Sequence, residues 1–267
     1  MVNIMNILDK IVARKHEEVA LAKRHISLAD LQRKLENVPE TRGFLKALQT
    51  QVNAQKPAVI AEVKKASPSK GIISPNFDPI MAAKRYEQSG ASALSVLTDR
   101  DFFQGDDAYL EKIKQHVALP LLRKDFMVDE YQIYQSRYLG ADCILLIVAC
   151  LTDQQLSEYY ALAGVLDMDA LIEVHDEQEM HRALALSPRL LGVNNRNLKT
   201  FEVDIQTTLT LKQMAPADSL LVAESGLHTQ QDIQIIMSHG VSSFLVGEAF
   251  MKTDDPGKAL SELFGAV

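Results

Sequence analysis

The spacing of hydrophobic residues divides the chain into two parts. Over residues 3–23, apolar side chains recur at helical spacing among Lys, Arg and Glu, and two further helices are predicted over residues 27–36 and 41–48. From residue 58 onward, short apolar runs alternate with amphipathic segments. Eight such runs are present, and they cover residues 58–63, 93–97, 119–122, 143–148, 170–174, 190–193, 220–223 and 243–246.

The boundaries of the segments repeat as well. Gly90, Gly140 and Gly240 each end a helical segment and are followed by one apolar residue, one polar residue and an apolar run. Helix starts are marked by Asp78-Pro79, Thr152-x-x-Gln155 and Thr229-x-x-Asp232. These repeats predict a chain of βα units.

Near-continuous apolar strands that alternate with helices are typical of a parallel sheet covered by helices. Eight units predict an α/β fold, a closed (β/α)8 TIM barrel, which typically takes roughly 250 residues. An open doubly wound sheet is the rival, but its glycine-rich fingerprint after the first strand is missing. No linker divides the series, so we expect residues 1–267 to form a single domain, with a helical extension over 1–50 and the barrel over 58–267.

Composition and charge limit the classes of function that the chain can have. The net charge of −7 argues against a general nucleic-acid binder or a basic membrane-surface patch, but not against a small anionic substrate. Cys143 and Cys150 lack CxxC spacing, which favours core thiols in a reducing compartment. We see no signal peptide and no apolar stretch long enough for a membrane span. The expected location is the cytoplasm.

Charged residues occur where the first predicted strand ends. Side chains alternate along a strand, so Ile60, Glu62 and Lys64 share one face. Burying charge is expensive unless the charge is paired or used. From these residues alone, a structural ion pair and a functional site are equally good interpretations.

Polar residues follow the other runs too, and in a TIM barrel the C-terminal strand ends form the active site. These residues are Thr98, Asp99, Lys124, Asp125, Glu173, Asn194, Asn195, Arg196, Glu224, Ser225, Gly247 and Glu248. Two lysines and two glutamates on one rim suggest proton transfer. Lysine could instead form a Schiff base, but Glu62 beside Lys64 would oppose the lowered pKa that this requires. We therefore favour lysine as an acid.

Two short turns indicate the type of ligand. Ser225-Gly226 and Gly247-Glu248 follow the seventh and eighth runs, where glycine lets backbone N–H groups approach an anion. Plain tight turns are the alternative for each one singly. Their coincidence favours a phosphate monoester, with Ser67 in the loop after the first strand as a further donor. No metal-ligand spacing is present, and His175 and His181 are interpreted as part of an ordinary helix start.

The motifs together resemble the indole-3-glycerol phosphate synthase family over nearly the whole chain, including the helical extension. The matching stretches are residues 60–69, 95–99, 124–126, 171–174, 192–198, 223–226 and 245–248. In combination and in this order the match is highly specific. Two positions depart from the common pattern: Asn197, where some members have Asp, and Glu248, where Ser is frequent.

The resemblance implies ring closure of 1-(2-carboxyphenylamino)-1-deoxyribulose 5-phosphate with release of carbon dioxide and water, without a cofactor. It implies that Lys124 is the general acid of ring closure and that Glu173 handles protons in dehydration. Lys64 would bind the substrate carboxylate or donate a proton in dehydration. Glu62 and Asn194 would orient these groups.

The resemblance also implies a set of substrate-binding residues. Phe126 would pack on the anthranilate ring, and Arg196 and Glu224 belong to the same cluster. The phosphate would be held by Ser67, Ser225, Gly226, Gly247 and Glu248, the last through its backbone only, because a carboxylate repels phosphate. We expect a small phosphorylated substrate and transient contact with other tryptophan-pathway enzymes, but neither nucleic acid nor membrane as a partner.

Two alternatives remain at this point. One is another phosphate-binding barrel enzyme, an isomerase or a Schiff-base aldolase acting on sugar phosphates. The other is a non-catalytic barrel that serves as a partner subunit, although charges crowded at one barrel mouth cost stability that a mere binder need not bear. Because the sequence ends directly after the eighth unit, we expect no fused second activity.

Overall fold

The computed structural model describes residues 6–198 and 200–265, and within them parallel strands form a closed barrel. The strands are β1 Ala58–Val63, β2 Ala93–Leu97, β3 Leu121–Lys124, β4 Cys143–Ile147, β5 Asp169–Val174, β6 Leu190–Asn194, β7 Leu220–Glu224 and β8 Ser243–Val246. Each strand pairs with its neighbours in sequence, and β1 closes the barrel against β8, with Ile60 opposite Leu245. The predicted (β/α)8 TIM barrel is confirmed.

Helices surround the barrel. They are α1 Ile7–His25, α2 Leu28–Lys34, α3 Phe44–Asn53, α4 Pro79–Gln88, α5 Arg100–Phe103, α6 Asp107–His116, α7 Glu130–Tyr138, α8 Asp153–Val165, α9 Glu177–Leu184, α10 Gln206–Lys212, α11 Gln230–Ser238, α12 Glu248–Met251 and α13 Pro256–Phe264. The predicted capping boxes at Thr152 and Thr229 are present. Gly90, Gly140 and Gly240 have φ of +87°, +90° and +81°, which confirms the repeated helix exit.

The third strand begins two residues later than the apolar pattern predicts. Proline lacks an N–H group, so Pro120 joins the sheet only through its carbonyl, which accepts a 3.0 Å bond from the Leu94 N–H. The strand continues instead through Arg123 and Lys124. Alternation sends Arg123 outward to the helices, where its guanidinium donates to Asp107 Oδ1 at 2.8 Å, and sends Lys124 to the barrel mouth.

The helical extension has the three predicted helices, with ends that differ from the prediction by a few residues. The predicted first helix includes residues 3–5, which lie outside the described residues. The third helix begins at Phe44, not at residue 41, because Gly43 adopts a left-handed φ of +66°. The preceding Arg42 is an anchor, since its guanidinium donates to the carbonyls of Val117 and Leu119 at 2.8 and 2.9 Å.

The barrel interior is filled in layers. Its N-terminal end is closed by α3, whose Phe44, Leu45 and Leu48 are buried against interior residues such as Ile60 and Leu122. Apolar packing therefore ends about halfway up the barrel, and the C-terminal mouth is left to polar side chains. In the part of the chain that the structure describes, no helix is long and apolar enough to cross a membrane.

One helix of the extension lies at the mouth itself. Lys15 of α1 is buried and its ammonium group contacts Asp99 Oδ2 at 3.0 Å and Asp125 Oδ1 at 2.9 Å. These carboxylates directly follow β2 and β3. The contact fixes α1 across the C-terminal end of the barrel, where Ile7 and Ile11 face the cavity.

Candidate active site

The cavity at the C-terminal mouth brings the predicted site residues together. Strand alternation points one residue or pair from each contributing strand inward, above the apolar interior. All thirteen predicted residues line this one cavity: Glu62, Lys64, Ser67, Lys124, Phe126, Glu173, Asn194, Arg196, Glu224, Ser225, Gly226, Gly247 and Glu248. The structure thus places them together, although which role each has is a separate question.

Lys124 stands at the centre of the charged group. Its Nζ lies 3.3 Å from Glu173 Oε2 and 3.6 Å from Glu224 Oε2, with its side chain 15% exposed. Burial disfavours the ammonium form, but the carboxylates of Glu173, Glu224 and Glu62 outweigh burial and raise the pKa of Lys124 above its ordinary value. Lys124 is therefore an ammonium group at neutral pH, able to donate a proton and unable to attack a carbonyl.

The two carboxylates beside Lys124 have different surroundings. Glu173 Oε1 accepts a 3.3 Å bond from Asn194 Nδ2 and faces His175 Nε2 at 3.3 Å. Burial opposes its ionisation, but Lys124 and His175 outweigh burial and lower the pKa of Glu173. Burial and the Glu173 carboxylate instead raise the pKa of Glu224. One buried carboxyl group is therefore ionised while its neighbour keeps a proton.

Glu224 has its place because β6 carries a glycine. A side chain at Gly192 would collide with Glu224 Oε1, so only glycine leaves room for this carboxyl group inside the barrel. Among the residues that the structure describes, Oε1 finds no hydrogen-bond partner. A buried acceptor of this kind is costly for an ionised group and tolerable for a protonated one.

Glu62 and Lys64 form an ion pair at the end of β1. Glu62 Oε2 lies 2.5 Å from Lys64 Nζ, and a side chain at Gly247, directly after the neighbouring strand β8, would collide with Glu62. The predicted alternation holds, since Ile60 points into the apolar interior below them. Lys64 lies closer to solvent than Glu62 and borders the cavity, so its ammonium group is available to an anionic substrate group.

One end of the cavity offers backbone groups and hydroxyls. Ser225 and Gly226 have consecutive left-handed φ values of +64° and +75°, and a side chain at Gly226 would collide with Val203. Such consecutive turns expose N–H groups in the manner of an anion-binding concavity. Ser67 stands opposite, in a hairpin of Ala66–Ser67 with Gly71–Ile72, and its hydroxyl lies 3.5 Å from that of Ser69.

Glu248 turns its side chain towards cations. Its Oε2 lies 3.5 Å from Arg196 Nη2 and its Oε1 lies 3.8 Å from Lys70 Nζ. These pairs place positive charge beside the Glu248 carboxylate. The backbone of Gly247 and Glu248 still borders the cavity.

The opposite wall of the cavity is apolar. Phe126 faces it and packs against Phe103, with ring centroids 6.1 Å apart. Ile7, Leu8 and Ile11 of α1 complete this wall. The cavity therefore combines a polar, anion-accepting end with a surface suited to an aromatic ring.

Sequence reasoning missed three contributors. The apolar spacing over residues 3–23 predicted a helix but no part in the site, and Lys15 lies too far from Asp99 and Asp125 in sequence for their contact to be inferred. His175 was assigned to a helix start. Its signal was available, because it follows Glu173 by two residues, the spacing that links Glu62 to Lys64.

Sequence comparisons with known proteins give one family. The family model described as indole-3-glycerol phosphate synthase matches residues 8–263. A protein of that name from Polaromonas sp. is 55% identical over 260 residues, covering 97% of this chain and 98% of the relative. The one from Acinetobacter baylyi is 54% identical over 267 residues, covering 99% and 98%.

Solved structures of lower similarity share the fold. A 3-hexulose-6-phosphate synthase matches 79% of this chain and 99% of its own with a TM-score of 0.62 and 14% identity. A thiamine phosphate pyrophosphorylase from Pyrococcus furiosus matches 77% and 93% with a TM-score of 0.56 and 14% identity. These likenesses establish the barrel only. The family match and the full-length relatives establish more: the chain belongs to the indole-3-glycerol phosphate synthase family.

Proposed function

We propose that Lys124 and Glu173 carry the acid–base chemistry of this carboxy-lyase of tryptophan biosynthesis. The family reaction converts 1-(2-carboxyphenylamino)-1-deoxyribulose 5-phosphate to indole-3-glycerol phosphate. The observation that carries the proposal is the position of the Lys124 ammonium group between two buried carboxylates. This position favours proton donation over Schiff-base formation, which needs a neutral amine.

Ring closure needs a proton at the ketone oxygen. The aromatic carbon that bears the carboxylate bonds to the ketone carbon, and Lys124 protonates the oxygen as its negative charge develops. Loss of carbon dioxide then returns an electron pair to the ring and restores aromaticity. Lys124 contributes most if it stays protonated until the substrate arrives, which is what Glu173 and Glu224 ensure.

Dehydration needs both a base and an acid. The new hydroxyl leaves as water, and a proton leaves the neighbouring carbon as the indole double bond forms. The ionised Glu173 accepts that proton, while Asn194 holds its second oxygen in place. Lys64 either protonates the leaving hydroxyl or binds the substrate carboxylate, and Glu62 fixes its position in both cases.

The two ends of the cavity orient the substrate. The phosphate would bind the hydroxyls of Ser67 and Ser225 and the backbone N–H groups around Gly226, Gly247 and Glu248. Arg196 adds positive charge nearby. The anthranilate ring would pack on Phe126, and Glu224 would lie between the ring and the ribulose chain. This arrangement places the ketone carbon beside Lys124.

The direct test is incubation of the purified protein with the carboxyphenylamino-deoxyribulose phosphate while indole fluorescence is followed. We expect fluorescence to rise without added metal or cofactor. Borohydride added during turnover should leave the protein mass unchanged. A covalent adduct on Lys64 or Lys124 would contradict the acid role, and the absence of indole would contradict the function.

Family membership supports two further proposals. We propose that the protein works in the cytoplasm, in keeping with two free cysteines of which Cys143 is buried. We also propose transient contact with the enzymes that supply its substrate and use its product. Cell fractionation tests the first, and chemical cross-linking during turnover tests the second.

A further inference from the structure

His175 lies between two carboxylates at the end of β5. Its Nε2 is 3.3 Å from Glu173 Oε1, and its Nδ1 is 2.9 Å from Glu179 Oε2. The backbone N–H of His175 donates to the same Glu179 oxygen at 2.9 Å. The ring is therefore held by a hydrogen bond to Glu179 on one side and by an ion-pair contact with Glu173 on the other, where Nε2 is not aligned for a hydrogen bond, and its side chain is 10% exposed.

Both ring nitrogens face oxygens that only accept protons. A neutral imidazole has one N–H group, so its other nitrogen would present a lone pair to a carboxylate. An imidazolium ion satisfies both neighbours at once. Burial disfavours this charge, but Glu173 and Glu179 outweigh burial and raise the pKa of His175 to about 10.

The other described groups near the ring are Cys150, Arg182 and Lys124. Cys150 lies in the adjacent turn at Val148–Cys150. Burial, and then the carboxylates of Glu173 and Glu179, raise the pKa of its thiol, so the thiol is neutral. Arg182 of α9 donates to the carbonyls of Val148 and Leu151, which directs its charge away from Glu173. Across the mouth, Lys124 lies between the two glutamates, donates a hydrogen bond to Glu173 Oε2 at 3.3 Å, and contacts Glu224 Oε2 only as an ion pair at 3.6 Å.

Lys124 accounts for part of the difference between the two glutamates, and the groups that contact Glu173 on its other side add to it. The distances from Lys124 Nζ to Glu173 Oε2 and Glu224 Oε2 are 3.3 and 3.6 Å, a difference of only 0.3 Å. Of the two glutamates, Glu173 is the one that the side chains of Asn194 and His175 contact, and of these two neighbours only His175 carries charge. Glu224 has Lys124 at 3.6 Å from Oε2, but its Oε1 has no hydrogen-bond partner among the described residues, so its ionisation is favoured less than that of Glu173.

We propose that His175 is a positioning residue which, held as an imidazolium ion by Glu179, keeps Glu173 ionised and leaves the proton of the carboxylate pair on Glu224. The proposal rests on the role of Glu173 as the base of dehydration. It does not require His175 to touch the substrate, and His175 is not among the residues that line the cavity. It adds Glu179, on α9, to the groups that set the protonation of the site.

The first experiment reads the protonation of His175 directly and needs no turnover. The protein is labelled with 15N-histidine, the His175 signal is assigned by its loss in His175→Gln, and its shift is followed from pH 6 to 9. We expect both nitrogens of His175 to stay protonated throughout in the wild type and to titrate within this range in Glu179→Gln. A wild-type midpoint near the ordinary value of about 6.5 would overturn the proposal.

The second experiment measures kcat and KM against pH. Without the imidazolium ion, Glu173 takes up a proton more easily. The midpoint of the acidic limb of the kcat profile should therefore move to higher pH by about one unit in His175→Gln. Glu179→Gln should move the limb in the same direction while keeping the ring in place. KM should change less than kcat in both variants, because the phosphate and aromatic ends of the cavity are untouched.

The matched control is His181→Gln, which removes an exposed histidine from α9, the helix that carries Glu179. Its profile should coincide with that of the wild type. An acidic limb unchanged in Glu179→Gln, in a protein with a native circular dichroism spectrum, would overturn the proposal. If the wild type forms no indole, the proposed function fails, and the 15N titration still decides the state of His175 alone.

Discussion

The replacement Lys15→Met tests whether a buried ion cluster holds α1 across the barrel mouth. Methionine keeps most of the length of the side chain but removes its ammonium group. That group lies within 3.0 Å of carboxylate oxygens of Glu18, Asp99 and Asp125, and its side chain is 4% exposed. The variant therefore leaves two carboxylates buried at the mouth without their main cation.

The cost follows from what these carboxylates retain. Asp99 still accepts the Phe102 N–H at 2.9 Å, and Asp125 still accepts the Thr98 hydroxyl at 2.6 Å. Asp125 also keeps the Arg123 guanidinium, 3.6 Å from its Oδ2, but Asp99 is left with hydrogen bonds alone, and removing one partner of a buried ion pair costs about 3–5 kcal/mol. For a chain of this size, we expect a fall of roughly 10 °C in the thermal midpoint.

Thermal unfolding of Lys15→Met should be compared with that of Lys10→Met, which removes an exposed lysine from the same helix. The control should lie within about 0.5 kcal/mol of the wild type. Adding Asp99→Asn to Lys15→Met should recover part of the loss, because one unpaired charge is then gone. KM should rise as well, since Ile7 and Ile11 line the cavity. Equal midpoints for Lys15→Met and Lys10→Met would refute the reasoning.

Three other predictions concern the mouth itself. Glu173→Gln keeps the shape of the base but cannot accept a proton, so turnover should fall at least about a hundredfold with the circular dichroism spectrum unchanged. Gly192→Ala places a methyl group against Glu224, and the resulting overpacking should destabilise the barrel by about 1–3 kcal/mol in chemical denaturation. The pKa of His175 is raised to about 10, so its contribution to stability is complete below about 6.5 and is lost as the pH rises towards 10. The thermal midpoint should therefore fall over this range, and less steeply in His175→Gln.

Much of the fold was predictable because its signals are local. The strand over residues 58–63 has the bounds that its apolar run predicts, and Gly90, Gly140 and Gly240 marked the helix exits. The strand at Leu121–Lys124 was misplaced because two charged residues continue it beyond the apolar run. Arg123 and Lys124 have their partners on other elements of the fold, and a local sequence pattern does not identify those partners.

The rim was predictable for a related reason. Alternation and the barrel rule together place Glu62, Lys124, Glu173 and Glu224 at one mouth, and the structure has them there. What alternation could not give is which α-helix covers the mouth. The contact between Lys15 and Asp125 depends on how α1 docks, and its apolar spacing describes only a buried face, not the surface that buries it.

The difference between Glu173 and Glu224 was also beyond the sequence. Both are strand-end glutamates, and both contact Lys124. Only their neighbours in three dimensions distinguish them. The imidazole of His175 and the amide of Asn194 lie beside Glu173, and the absence of a side chain at Gly192 leaves space for Glu224. Residue type at a rim position thus predicts chemistry in general but does not assign the proton.

The most direct test of the central claim is the turnover of Lys124→Ala, measured as indole fluorescence in single-turnover experiments with the carboxyphenylamino-deoxyribulose phosphate. We expect the rate of indole formation to fall at least about a hundredfold. Binding of the product indole-3-glycerol phosphate should stay within about tenfold of the wild type, because the phosphate end of the cavity does not include Lys124. A variant that forms indole within tenfold of the wild-type rate would contradict the assignment of Lys124 as the general acid.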